Sequence, residues 1–302
     1  MMYSTPATPL SERDFHGRIY RGEILRFDAI PAMLELAQFA QKFLAQAFHP
    51  HPPPQIHRHL SHEEQIPRFA QLQKQFWKQD EVSHLWQEIF RTIGLDPQGL
   101  TRDHLHLRFQ PHQDKKTEYS RARTTSTLAF HRDTWGSNLY AQVNWWAPIF
   151  PISQGRTVAM YPALWNRAVA NTSAQYDLAK ILERSRAQGR NAVSADEAIP
   201  HLTETLDPEL AIPVVIEPGS LIAFSGAHAH AGVPNATGLT RLSLETRTLS
   251  VDDFRQNRGA PNMDGHAPWA APGWFRHMVT GEKLSDLLGL EHIIPYPFPT
   301  RP

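Results

Sequence analysis

The 302-residue sequence balances 30 Lys and Arg against 30 Asp and Glu, with 41% hydrophobic and 20% charged residues, a composition that supports a sizeable globular core. Zero formal net charge, with no basic stripe, argues against a nucleic-acid partner, and the absence of cysteine removes disulfides and thiolate metal sites. The start, MMYSTPATPLSERDFHGRIYRGE, lacks a signal-peptide core, and no apolar run reaches membrane-spanning length, so a cytoplasmic protein without a membrane partner is expected.

In chain order, the first third reads as helical. DAIPAMLELAQFAQKFLAQAF offers Asp28 as an N-cap and keeps Met33, Leu36, Ala40, Phe43, Leu44 and Ala47 near one face. HPHPPPQIHRHLSH, with five histidines from His49 to His62, interrupts it as a proline-rich connector. Two further amphipathic segments follow, Ile66 to Trp77 and Val82 to Ile93.

From about residue 104 the pattern changes to short alternating runs: LHLRFQP, STLAFH, NLYAQVNWWAPI, TVAMYP, IPVVIEPGSLIAFSG and RLSLETRTLSV. A helical insert, SAQYDLAKILERSRAQG, divides them, and a short helix near EKLSDLLGL precedes a proline-rich tail. The expectation is one domain over 1–302, mainly β with packing helices: a helical part at 1–103, a sandwich or barrel core at 104–250 with an insert near 173–200, and an extension at 251–302.

Two His-x-Asp pairs occur, His112–Asp114 and His131–Asp133. The first follows Pro111 and precedes KKTEYS, which reads as a polar loop. The second ends a strand in which Thr127, Ala129 and His131 share a face, and Asp133 continues that series if the chain stays extended. A third ligand is expected on a strand distant in sequence. A Pro218–Gly219 turn leads into such a strand, and His228 and His230 lie just beyond it. Two histidines and one carboxylate leave three metal positions open, which suits iron(II) holding a co-substrate and O2 together.

The next strand alternates strictly, with Arg241, Ser243, Glu245 and Arg247 on one face and Leu242, Leu244 and Thr246 on the other. Arg241 could grip a carboxylate bidentately, and Ser243 could donate to the same group. A structural ion pair between Arg241 and Glu245 is the bland alternative.

The order HRD, HAGVPN and RLS resembles the iron(II)/2-oxoglutarate-dependent dioxygenases, and its H-x-G-x-P-N phrase is similar to the phytanoyl-CoA-hydroxylase-like branch. The match covers roughly residues 104 to 250. The resemblance implies a double-stranded β-helix (jelly-roll, cupin-like) core and His131, Asp133 and His230 as iron ligands. It also implies that Arg241 and Ser243 bind the distal carboxylate of 2-oxoglutarate, which is converted to succinate and CO2 as a small organic substrate is oxidised. Gln142 and Asn144, on the polar face of LYAQVNWWAP, are candidates for hydrogen bonds to the co-substrate or for an outward polar face. A third histidine has no family counterpart, which leaves His228 outside the ligand set. The rival readings are a cupin-like metal isomerase or lyase, which would not need Arg241 with Ser243, and a non-catalytic binding module, which would not need the triad.

Overall fold

The computed structural model describes residues 2–113, 127–137, 139–188, 199–267, 269–270, 274–289 and 294–295. The proline-rich tail beyond 295 and Asp114 of the first His-x-Asp pair lie outside them.

Helix α1 (Glu12–Tyr20) is capped by the Ser11 hydroxyl, which accepts from the Asp14 backbone N–H. Strand β1 (Leu25–Phe27) follows, and neither element stood out in the sequence. Helix α2 (Pro31–Phe48) buries Met33, Leu36, Ala40 and Leu44 as the spacing predicts. It begins without a side-chain cap, at Ile30. Asp28, the expected cap, instead accepts from Arg26 Nε at 2.8 Å, and Pro31 opens the helix because its φ is already helical and its missing N–H needs no partner. Helix α3 (His62–Phe76) starts with a reciprocal Ser61–Glu64 capping box. Helix α4 (Asp80–Ile93) ends on Gly94 in the left-handed conformation.

The strands are β2 (Leu100–Arg102), β3 (His106–Gln110), β4 (Val143–Pro148), β5 (Val158–Met160), β6 (Ile212–Pro213), β7 (Leu221–Ser225), β8 (His230–Gly232), β9 (Arg241–Ser250), β10 (Trp269–Ala270), β11 (Arg276–His277) and β12 (Ile294–Pro295). Seven form an antiparallel sheet in the order β1-β7-β4-β9-β2-β11, with β3 also paired to β9. A second sheet runs β6-β5-β8, and a single antiparallel bridge couples His131 to His230 at its edge. The larger sheet thus recruits short strands from both flanks of the 104–250 segment.

Alternation along these strands divides the interior in two. Leu242 and Leu244 of β9, Leu107 and Phe109 of β3, Val143, Trp145 and Ala147 of β4, and Leu221 and Ala223 of β7 share one hydrophobic cluster with Met33, Leu36, Phe76, Trp86 and Phe90 from the helices. The opposite face places Trp146, Ile222 and Phe224 against Val158 and Met160 of the small sheet. The expectation of β structure with packing helices is met at that level, as antiparallel sheets carry an outer layer of helices. Helices α1 to α4 span 9, 18, 15 and 14 residues, whereas the longest strand has 10. They cover the outer face of a sheet that would otherwise expose a continuous apolar surface. The insert forms helix α6 (Leu178–Gln188), as its periodicity predicts.

Candidate metal centre

His131 and Asp133 reach the interior by a turn rather than along a strand. Only His131 makes a bridge, Asp133 stands in a turn, and helix α5 (Thr134–Ser137) begins directly after it. The expectation of an extended chain through Asp133 is therefore corrected. The turn is stabilised by the Asp133 carbonyl, which accepts from the Gly136 and Ser137 N–H groups at 3.1 Å each.

Backbone bonds between His131 and His230, at 3.0 Å in both directions, set the two histidines side by side with ring centroids 4.3 Å apart. Asp133 Oδ1 lies 3.6 Å from His131 Nε2. One ligand atom from each of His131, Asp133 and His230 falls within 4.8 Å of the others, the single such His, Cys, Asp or Glu cluster among the described residues.

The outer contacts prepare these atoms for a cation. His131 Nδ1 lies 2.8 Å from the Ala129 carbonyl, and His230 Nδ1 lies 3.0 Å from the His228 carbonyl. A carbonyl only accepts, so each Nδ1 carries the proton and each Nε2 keeps its lone pair for a metal. Burial, with the neighbouring His131 charge, lowers the His230 pKa to about 4, so this ring is neutral at physiological pH. Burial alone would raise the Asp133 pKa, but Arg247 and the two histidines hold it far below the usual carboxylate range. Two imidazoles and one carboxylate suit a divalent transition metal.

The remaining predicted residues take defined places. Gln142 Nε2 and Asn144 Nδ2 both donate to Asp133 Oδ2, at 2.9 and 2.5 Å. Arg241 is buried on the inner face of β9 and donates from Nη1 to the Thr157 carbonyl at 2.9 Å, while its Nε has no partner. Burial lowers its pKa to about 10, against the opposing pull of the Glu245 charge. Ser243 donates to Glu245 Oε1 at 3.2 Å, and Glu245 Oε2 lies 3.2 Å from Arg108 Nε. Glu245 is thus tied to Arg108 and Ser243, and it forms no ion pair within 4 Å of Arg241. His112 is elsewhere, accepting from the Gly238 N–H at 3.1 Å. His228 is fully buried, donates to the Gly22 carbonyl at 3.1 Å and packs on Trp165, apart from the ligand set.

Two contributions to the site were not foreseen from the sequence, the Arg247 contact with Asp133 and the role of Arg132. Arg247 Nη2 lies 3.7 Å from Asp133 Oδ1 and its Nη1 3.0 Å from Asp103 Oδ2. Its place on the inner-facing series of β9 was the available signal. Arg132, between the two ligands in sequence, is buried and donates to the carbonyls of Ala227, Leu164 and Arg167 at 2.6 to 2.8 Å. Its Nε lies 3.2 Å from Asp264 Oδ2. It thereby ties the His131–Asp133 turn to the segment leading into His230, and nothing local in sequence signals that.

No protein-family model and no curated protein matches the sequence. Its structural neighbours are non-haem monooxygenases and α-ketoglutarate-dependent enzymes. The non-haem monooxygenase ThoJ, in its apo form, aligns with a TM-score of 0.43 at 13% identity over 79% of this chain and 78% of that one. EvdO2 from Micromonospora carbonacea var. aurantiaca, in complex with 2-oxoglutarate, aligns at 0.41 and 13% over 82% and 94%. The epimerase SnoN, in complex with Fe3+, α-ketoglutarate and nogalamycin RO, aligns at 0.38 and 12% over 79% and 83%. Likenesses this distant carry no argument about activity, which has to come from the site itself.

Proposed function

We propose that the protein is a non-haem iron(II)/2-oxoglutarate-dependent oxygenase acting on a small organic substrate, its two facing sheets forming one jelly-roll domain with the helices as an outer layer. The observation that carries this reading is the convergence of His131, Asp133 and His230, with the buried guanidinium of Arg241, its Nε without a partner, also on the interior. Among the described residues its one hydrogen-bond acceptor is the Thr157 carbonyl, and Glu245 offsets part of its charge from beyond ion-pair distance, so an anionic ligand would be favoured there because incompletely paired buried charge is costly. An isomerase or lyase needing only the metal would have no use for it.

In this reading His131 Nε2, His230 Nε2 and Asp133 Oδ1 would hold iron(II), and Arg241 would take the distal carboxylate of 2-oxoglutarate. The metal with its co-substrate supplies O2 activation, yielding succinate and CO2. Phe224, packed with Trp146, Val158 and Met160, lies 5.3 Å from His230 between ring centroids, and such apolar surroundings would strengthen a charged contact in the site. With Asp133 as a ligand the metal would have no position to spare for a halide, so the expected products are hydroxylated, desaturated or cyclised.

The test supplies iron(II), 2-oxoglutarate and O2 and measures succinate, including uncoupled turnover without substrate. Succinate from the unmodified protein, abolished in His131→Ala, Asp133→Ala and His230→Ala but retained in His112→Ala, is expected. Succinate formation insensitive to those three changes would refute the assignment.

A further inference from the structure

We infer that Gln142 and Asn144 are positioning residues that confine Asp133 to metal ligation through Oδ1 alone, keeping open a coordination position that a co-substrate needs. This rests on the proposed function above, and it gives the two amides a different task from direct co-substrate contact.

The hydrogen bonds leave little freedom. A carboxylate oxygen has two lone-pair directions. Oδ2 of Asp133 receives one N–H from Gln142 at 2.9 Å and one from Asn144 at 2.5 Å, so both are taken. The second Gln142 Nε2 hydrogen goes to Asn144 Oδ1 at 2.8 Å. That contact decides the Asn144 amide orientation, since an Asn144 oxygen facing Gln142 leaves the nitrogen facing Asp133. Oδ1, by contrast, faces His131 Nε2 at 3.6 Å and Arg247 at 3.7 Å.

The scaffold behind the amides is rigid. Asn144 lies in β4, paired to Phe224 of β7 and Arg247 of β9. The Gln142 carbonyl accepts from the Gly226 N–H at 2.9 Å, and a Cβ on Gly226 would come within 3.1 Å of Gln142 Nε2. Both side chains are buried, at 2% and 6% exposure, so their donors face little competition from water. Without them, Oδ2 becomes a free base beside the cation and Asp133 can chelate through both oxygens. A bidentate carboxylate would fill one of the positions that 2-oxoglutarate and O2 must share.

The experiment uses the full chain with Gln142→Met and Asn144→Leu made singly, both close in size to the residue replaced but without N–H donors. Each is saturated with Co(II), its visible spectrum is recorded, and 2-oxoglutarate is titrated by calorimetry. A changed Co(II) spectrum before co-substrate is added, together with a 2-oxoglutarate Kd raised about tenfold or more, is the expected result. If either variant fails to fold, the other decides. Metal-saturated variants that keep the wild-type spectrum or the wild-type Kd overturn the inference. A Co(II)-loaded wild-type protein that binds no 2-oxoglutarate refutes the functional proposal itself, a distinct outcome.

Discussion

Arg241 shows what a side chain's surroundings add to its identity. On the sequence it is one of four polar residues alternating along β9. In the fold it is 5% exposed, its Nε has no partner, and the nearby carboxylate of Glu245 is held by Arg108 and Ser243. The proposed grip on a carboxylate depends on a planar guanidinium with paired donors, which an ammonium does not reproduce. Arg241→Lys is therefore expected to raise the 2-oxoglutarate Kd about tenfold or more while Co(II) binding stays near wild type. Calorimetry on the metal-loaded protein checks this, and unchanged co-substrate affinity would move the role to Arg247. Ser243 is the weaker half of the Arg-x-Ser pair, because its hydroxyl already donates to Glu245.

At the scale of elements, the helices owe their placement to close approaches that tolerate little change. Gly94 ends α4 at φ +105, and a Cβ there would sit 2.0 Å from the Leu10 carbonyl oxygen. The Leu10 N–H donates to the Ile93 carbonyl at 2.7 Å, so the chain before α1 is fastened to this helix end. Gly94→Ala combines a left-handed backbone with a steric clash and should cost about 1–3 kcal/mol. Thermal and urea denaturation measure this directly, and a melting temperature equal to wild type would show that the α1–α4 contact yields easily. The strand elements show the complementary case. The Pro218–Gly219 turn behaves as its sequence predicts, with Gly219 at φ +93 and the Ser220 N–H on the Glu217 carbonyl at 3.0 Å, and it delivers β7 in register against β4.

Across the whole molecule, one buried cluster joins α1 to the segment after β9. His16 Nδ1 lies 3.1 Å from Asp253 Oδ2, Tyr20 donates to the same oxygen at 2.8 Å, and Arg258 Nε donates to Oδ1 at 2.6 Å. Burial lowers the His16 pKa from 6.5, outweighing the attraction of Asp253, and Arg258 adds to the lowering. The unfolded chain then binds a proton that the folded chain refuses. The stability linked to His16 is complete above pH 6.5 and declines as pH falls below it towards the folded-state value. His16→Gln should flatten the fall in melting temperature between about pH 7 and about pH 5. An acid limb identical to wild type would exclude His16 as its source.

Much was legible in the sequence because it is local or periodic. The amphipathic spacing of α2 and α4, the alternation of β9, the Pro-Gly turn, and the order His131, Asp133, His230, Arg241 are all properties of neighbouring residues and their spacing. Periodicity reports which face an element buries, and the sheet honours it by turning Leu242 and Leu244 to the helices. What only the tertiary structure decided is what each polar side chain meets on the inner face. Gln142 and Asn144 hold Asp133, Ser243 goes to Glu245, Arg132 ties the two ligand-bearing segments, and Asp28 leaves the helix end for Arg26. Those partners stand up to 95 positions apart, as between Arg132 and Ala227. A hydrogen bond depends on distance and direction in space, so chain spacing carries no record of contacts made between strands that meet only when the sheets close.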